Sequence, residues 1–141
     1  MSLLFLRIIL GLVALICFLG GTNIMLKGAM HYLPIGTPTQ PVLDNLLRFL
    51  SGIYFGCGFL LAFAAYRPAA MGSAIPLLGV VVLFSGLGRL YSRRKLGPAG
   101  NYLMFAMLLE LVLGMAIIIL SLNMAPGATA LLSYAAFSVL A

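Results

Sequence analysis

Acidic residues are almost missing from this chain, in which only Asp44 and Glu110 carry a side-chain carboxylate. Charged residues of either sign make up 7% of the 141 residues, whereas about a quarter of the residues in a soluble domain are charged. So few charges cannot cover the surface of a water-soluble fold. The net charge of +6 is scattered between apolar runs and does not form the solvated basic face of a nucleic-acid-binding protein. We therefore expect neither a soluble domain nor a nucleic-acid partner.

Histidine and cysteine, the usual ligands of metals and redox groups, are also scarce. His31 is the only histidine, and Cys17 and Cys57 lie in different apolar runs without a CxxC spacing. Counting helical turns from the shared end of those runs places the two thiols at different depths, too far apart for a disulfide. Motifs of zinc hydrolases, serine hydrolases and nucleotide-binding loops are missing as well. We predict no metal, no cofactor and no catalytic residue, which disfavours an enzyme without excluding one.

Long apolar runs dominate what remains, since 64% of the residues are hydrophobic and the mean hydropathy is +1.21. A helix needs about 20 apolar residues to cross the hydrocarbon layer of a bilayer. The sequence therefore predicts an all-α fold, an integral membrane four-helix bundle that forms a single transmembrane domain over residues 1–141. The four helices are predicted at about 3–26, 41–66, 73–91 and 101–123.

The connections between these runs are short and carry helix-breaking residues. Pro34, Gly36 and Pro38 interrupt the polar stretch before the second helix, and SRRKLGPAGN separates the third helix from the fourth. Residues 127–141 are apolar but short for a full span. We expect a short interfacial helix there, although a fifth crossing or a re-entrant segment stays open.

The basic residues are distributed unequally between the two ends of the predicted bundle. The end with the two polar loops holds most of them, which under the positive-inside rule places these loops in the cytoplasm and both termini outside. Anionic lipid headgroups are the expected partners of this end. The residues on the loop side are Lys27, Arg48, Arg89, Arg93, Arg94 and Lys95, and those on the other side are Arg7 and Arg67.

Besides Arg7 near the start of the first span, the charged side chains inside the predicted spans are Asp44, Arg48, Arg89 and Glu110. Each ion costs at least ~2.5 kcal/mol in hydrocarbon, so we expect these groups to face protein or trapped water near one membrane face. One interpretation is structural: either arginine neutralises Glu110, and Asp44 braces Arg48 at the i, i+4 spacing. The other is that the cluster forms the floor of a pocket for an anionic or amphiphilic ligand, because guanidinium groups match carboxylates and phosphates.

Small and loop residues complete the candidate set. Gly52, Gly56 and Gly86 share helix faces with the charged residues, and small residues let helices approach closely in membranes, so we expect these glycines at packed faces. His31 and Tyr32 lie in the first polar loop, near the same membrane face, and are possible loop contributors to a site.

The segments DNLLRFLSGIYFGCG and GLGRLYSRRKLGP, followed by the isolated Glu110, resemble a bacterial family of small four-helix membrane proteins of unknown function. The general layout is similar to that of DoxX-like proteins, without a redox ligand set. The resemblance covers nearly the whole chain and implies a multi-pass protein of the bacterial inner membrane. The family pattern maps onto Asp44, Arg48, Gly52, Gly56, Gly86, Gly88 and Arg89.

Three functional hypotheses follow. The leading one is a non-enzymatic inner-membrane protein that binds an anionic amphiphile or a partner membrane protein through the charged cluster. The second is a small ion- or proton-coupled transporter or channel, in which Glu110 exchanges a proton and homo-oligomers enclose the pathway. The third is a membrane enzyme that acts on lipid or quinone and uses Glu110, His31 or a tyrosine as acid or base.

Overall fold

The computed structural model describes residues 2–124, and within that range the chain forms helices and loops without any β-strand. Four of the helices are long and apolar enough to cross a membrane, which confirms the expected four-helix membrane bundle. The predicted interfacial helix at 127–141 lies outside the described residues. The helices are α1 (Ser2–Lys27), α2 (Pro41–Tyr66), the short α3 (Pro68–Met71), α4 (Ala74–Leu96) and α5 (Asn101–Met124), with a 3-10 helix at Ala29–Tyr32 between α1 and α2.

Most helix ends follow from local chemistry, but the end of α4 differs from the prediction. Pro41 occupies the first turn of α2, where its missing N–H is harmless. The third span was expected to end near residue 91, yet α4 continues to Leu96 and stops at Gly97, whose φ of 92° ends the helix. The basic residues expected in the loop instead form the last turn of α4, where positive side chains interact favourably with the helix dipole.

Two antiparallel hairpins make up the bundle. α1 packs along α2, α4 packs along α5, and the hairpins meet mainly where α1 contacts α5, while α2 and α4 touch at few points. Leu6, Leu10, Leu61 and Ile117 are almost completely buried in the shared core. Most other large apolar side chains are exposed on the outside of the bundle, as expected when lipid tails are the solvent.

Close helix contacts depend on a set of glycines that only partly matches the expected set. Gly86 is buried as expected, and a Cβ there would lie 2.8 Å from Leu111 Cγ. Gly114 is tighter still, since its Cβ would lie 2.6 Å from the backbone nitrogen of Leu83. Gly52 and Gly56 were expected at a packed face, but both are exposed and a Cβ at either position would have no atom within 4 Å. That expectation is wrong for contacts within the described chain, because the two glycines lie on the outer face of α2.

The depth expected for the two cysteines is also corrected. Gly21 of α1 lies against Tyr54 of α2, and Phe18 lies against Gly58, so Cys17 and Cys57 are at similar levels in the bundle. The estimate from turn counting failed because α2 begins beyond the end of α1. Both cysteines are free thiols.

Candidate functional site

Arg89 and Glu110 form an ion pair inside the bundle. Arg89 Nε on α4 donates a hydrogen bond of 2.8 Å to Glu110 Oε2 on α5, and the two side chains are 32% and 14% exposed. Arg89 Nη2 also donates to the Tyr54 hydroxyl on α2 at 3.1 Å. One guanidinium therefore connects three helices. Its hydrogen bond to Tyr54 joins α2 to α4, two helices that touch at few other points.

Asp44 and Arg48 form a second ion pair, nearer the first polar loop. Arg48 Nε donates to Asp44 Oδ2 at 2.7 Å, and Arg48 Nη1 donates to the carbonyl oxygen of Met25 at the end of α1. The other carboxylate oxygen of Asp44 accepts a hydrogen bond of 2.8 Å from the backbone N–H of Ala29. This pair attaches the start of α2 to the chain that leaves α1.

Gly28 is necessary for that attachment. Its φ of 62° and ψ of −167° are almost restricted to glycine, and a Cβ there would lie 2.1 Å from Asp44 Oδ1. The carboxylate of Asp44 therefore occupies space that any other residue at position 28 would fill.

The four charged residues expected to form one cluster are thus joined in two separate pairs. Arg89 is the partner of Glu110, and Arg48 is bound to Asp44 and to the end of α1. The separation arises because Arg48 turns toward unsatisfied carbonyls at the C-terminus of α1, which attract a positive charge.

A cleft of about 120 Å³ lies between the end of α4 and the start of α5. Arg89 lines it, and Arg93 lines it one helical turn later at the i, i+4 position. The cleft therefore has a cationic side on α4 and an apolar side on α5. Its lining residues are Arg89, Ser92, Arg93, Gly97, Ala99, Leu103, Met104 and Met107.

His31 and Tyr32 lie away from this cleft. Both are exposed in the 3-10 helix, where His31 Nε2 is 3.3 Å from Lys27 Nζ and the Tyr32 hydroxyl accepts a hydrogen bond of 2.9 Å from Asn23. Their rings meet edge to face at 5.2 Å. These contacts arrange the first loop and do not add either residue to the lining of the cleft.

Sequence reasoning missed Tyr54, Ser92 and Arg93. The segment RLYSR contains the i, i+4 spacing of two arginines, which would have indicated a shared face if the helix had been extended past residue 91. Tyr54 gave no such signal, because one tyrosine among apolar neighbours does not indicate which helix it will meet.

Comparison with known proteins identifies a family without identifying an activity. A family described as "Domain of unknown function (DUF4345)" matches residues 5–121. No curated protein and no solved structure matches the chain. Within residues 2–124, no group of three or more His, Cys, Asp or Glu residues is arranged to hold a metal ion.

Proposed function

Because the chain belongs to the DUF4345 family, a family of unknown function, its role must be inferred from its geometry, and we propose that this multi-pass membrane protein binds an anionic amphiphile in the cleft between α4 and α5. The observation that carries the proposal is the lining of that cleft. Arg89 and Arg93 face it from α4, and Leu103, Met104 and Met107 face it from α5. An anionic head group would contact the arginines, and the first carbons of a tail would contact the apolar side.

Both arginines have donors for such a head group. Among the described residues, Arg89 uses Nε and Nη2 for Glu110 and Tyr54, and Nη1 has no hydrogen-bond partner. The side chain of Arg93 makes no hydrogen bond or ion pair within the described chain. The planar donors of a guanidinium suit the paired oxygens of a phosphate or carboxylate.

The size and position of the cleft fit a head group at the membrane surface. A cleft of about 120 Å³ has room for a phosphate or carboxylate group and is too small for an entire lipid. Met104 is 37% exposed on the outer surface of α5, so a tail can continue from the cleft along the lipid-facing side.

The cellular location is part of the same proposal. The distribution of basic residues favours the cytoplasmic leaflet for this end of the bundle, and that leaflet carries anionic lipids. The bacterial inner membrane, implied by the family resemblance, would supply them. A transport role for Glu110 would require its ion pair with Arg89 to break. No contact among the described residues favours transport over binding of an amphiphile.

Arg93 and Arg94 provide a matched test. They are neighbours with the same charge, but only Arg93 lines the cleft, so Arg93→Gln and Arg94→Gln change the surface potential equally. Phosphatidylglycerol retained by the purified protein is measured by native mass spectrometry, with phosphatidylcholine as the neutral reference. We expect Arg93→Gln to lower retention about tenfold or more, since a hydrogen bond from a guanidinium to a charged head group contributes about 1.5–3 kcal/mol.

Arg94→Gln should keep the retention of the unmodified protein. Equal losses in the two variants would show that surface charge alone attracts the lipid. No preference for phosphatidylglycerol over phosphatidylcholine in the unmodified protein would also contradict the proposal.

A further inference from the structure

We propose that the cleft selects amphiphiles whose head group carries a single negative charge, and that Glu110 sets this preference by neutralising Arg89. The inference rests on the proposed function and names the ligand class for the same site. Phosphodiester and carboxylate head groups share the required chemistry. A phosphate monoester carries about two negative charges above its second pKa near 6 and falls outside the class.

The charge balance at the cleft is the first step. Arg89 and Arg93 are the charged residues among those that line it, and the 2.8 Å bond to Glu110 compensates the positive charge of Arg89. Among the described residues that line the cleft, Arg93 therefore provides the one uncompensated charge. The side chain of Glu110 is only 14% exposed, so water screens this pair less than it would screen a surface pair.

The other cations at the end of α4 do not complete the site. Arg94 and Lys95 are exposed and are absent from the lining of the cleft. Lys95 Nζ instead lies over the ring of Tyr91, 5.9 Å from its centroid. These two residues act on an anion through solvent, which screens their charge, so they contribute only weakly to the choice between one negative charge and two.

The apolar side of the cleft, on α5, makes the site selective for a head group with a single negative charge. Met107 is 6% exposed at the back of the cleft, and Leu103 and Met104 continue the same wall. A second negative charge would lose water against this wall without gaining a second uncompensated cation. A buried charge that lacks a partner is strongly disfavoured, so the dianion should bind less well.

Two variants shift the balance by one charge. Glu110→Gln keeps the shape of the side chain and restores the charge of Arg89, but it also leaves Arg89 without its ionic partner, which can destabilise the fold. Ser92→Lys adds a cation to the lining at an exposed position and does not disturb the ion pair. Leu96→Lys is the matched control, because Leu96 is 82% exposed at the same end of α4 and does not line the cleft.

The experiment is competition in detergent at about pH 8 between equimolar phosphatidylglycerol, oleate and phosphatidic acid, with bound lipids identified by native mass spectrometry. For the unmodified protein we expect at least one monoanion to exceed phosphatidic acid about fivefold. The ratio of phosphatidylglycerol to oleate shows whether a membrane lipid or a free fatty acid supplies the ligand. Ser92→Lys, and Glu110→Gln if it folds, should lower the preference for monoanions about fivefold or more, because a second cation would then contact the head group directly. Leu96→Lys adds its charge in screened solvent and should change the preference much less.

The inference is overturned if phosphatidic acid binds as well as both monoanions, or if Ser92→Lys and Leu96→Lys shift the ratio equally. Either result can occur while Arg93→Gln still lowers retention of phosphatidylglycerol, in which case the proposed site stands and only its charge selectivity is wrong. Failure of the unmodified protein to retain any anionic lipid would reject both.

Discussion

Gly114 on α5 packs directly against the backbone of α4, and replacing it with alanine tests how rigid that contact is. The added Cβ would lie 2.6 Å from the nitrogen and 2.8 Å from the Cα of Leu83. Both are backbone atoms, so no side-chain rotation relieves the contact. Restoring an ordinary separation of 3.4 Å from 2.6 Å requires α4 and α5 to move apart locally by roughly 0.8 Å.

The expected magnitude follows from two opposing terms. An extra methyl group forced into a packed interface costs about 1–3 kcal/mol. Alanine is more favourable than glycine within a helix by about 0.5–1 kcal/mol. Gly114→Ala should therefore lower the free energy of unfolding by about 1 kcal/mol, within a span of about 0–2.5 kcal/mol.

Gly56→Ala is the control that measures the favourable helix term alone. Gly56 is also within a helix, but its Cβ would have no atom within 4 Å, so only the favourable term applies. Unfolding in mixed micelles, followed by circular dichroism, should give a Gly56→Ala protein at least as stable as the original. The difference between the two variants should be about 1–3 kcal/mol. Equal stability of Gly114→Ala and Gly56→Ala would refute the close packing of α4 on α5.

Three further predictions concern the first loop, the interior ion pair and the cleft. Gly28→Ala should lower the melting temperature more than Gly36→Ala in the same assay, because both positions have positive φ but only the first would place a Cβ against the Asp44 carboxylate. Tyr54→Phe should lower the free energy of unfolding by about 0.6 kcal/mol, the average for hydrogen bonds between membrane helices, and by no more than about 1.7 kcal/mol; no measurable change would contradict the hydrogen bond that joins α2 to α4. Ala99→Trp should fill the cleft and reduce retained phosphatidylglycerol in native mass spectra at unchanged melting temperature, whereas full retention would place the lipid elsewhere.

The membrane architecture could be predicted from the sequence because a bilayer imposes strong rules on composition. Spans must be long and apolar, and prolines and glycines mark their connections, so the second helix at 41–66 was placed correctly. The end of α4 could not be placed as well. Charged residues at a membrane surface are compatible with a loop and with a final helical turn, and hydropathy does not distinguish them.

The site was less predictable than the fold because partner choice depends on how helices rotate and slide against each other. Scarcity of charge drew attention to Arg89 and Glu110, but it gave two possible arginine partners for one carboxylate. The structure resolves this through Arg48, which turns to the end of α1. Gly52 and Gly56 show the same limit, since small residues indicate where helices can pack but not which faces do.

The central claim is that an anionic head group sits against the α4 arginines. Solid-state NMR can measure the dipolar coupling between lipid phosphorus and ¹⁵N-labelled guanidinium groups in phosphatidylglycerol bilayers. We predict a strong coupling that weakens markedly in Arg93→Gln, where only Arg89 is left to contact the head group, and stays unchanged in Arg94→Gln. A coupling that persists in Arg93→Gln and disappears in Arg94→Gln would place the head group outside the cleft and contradict the account.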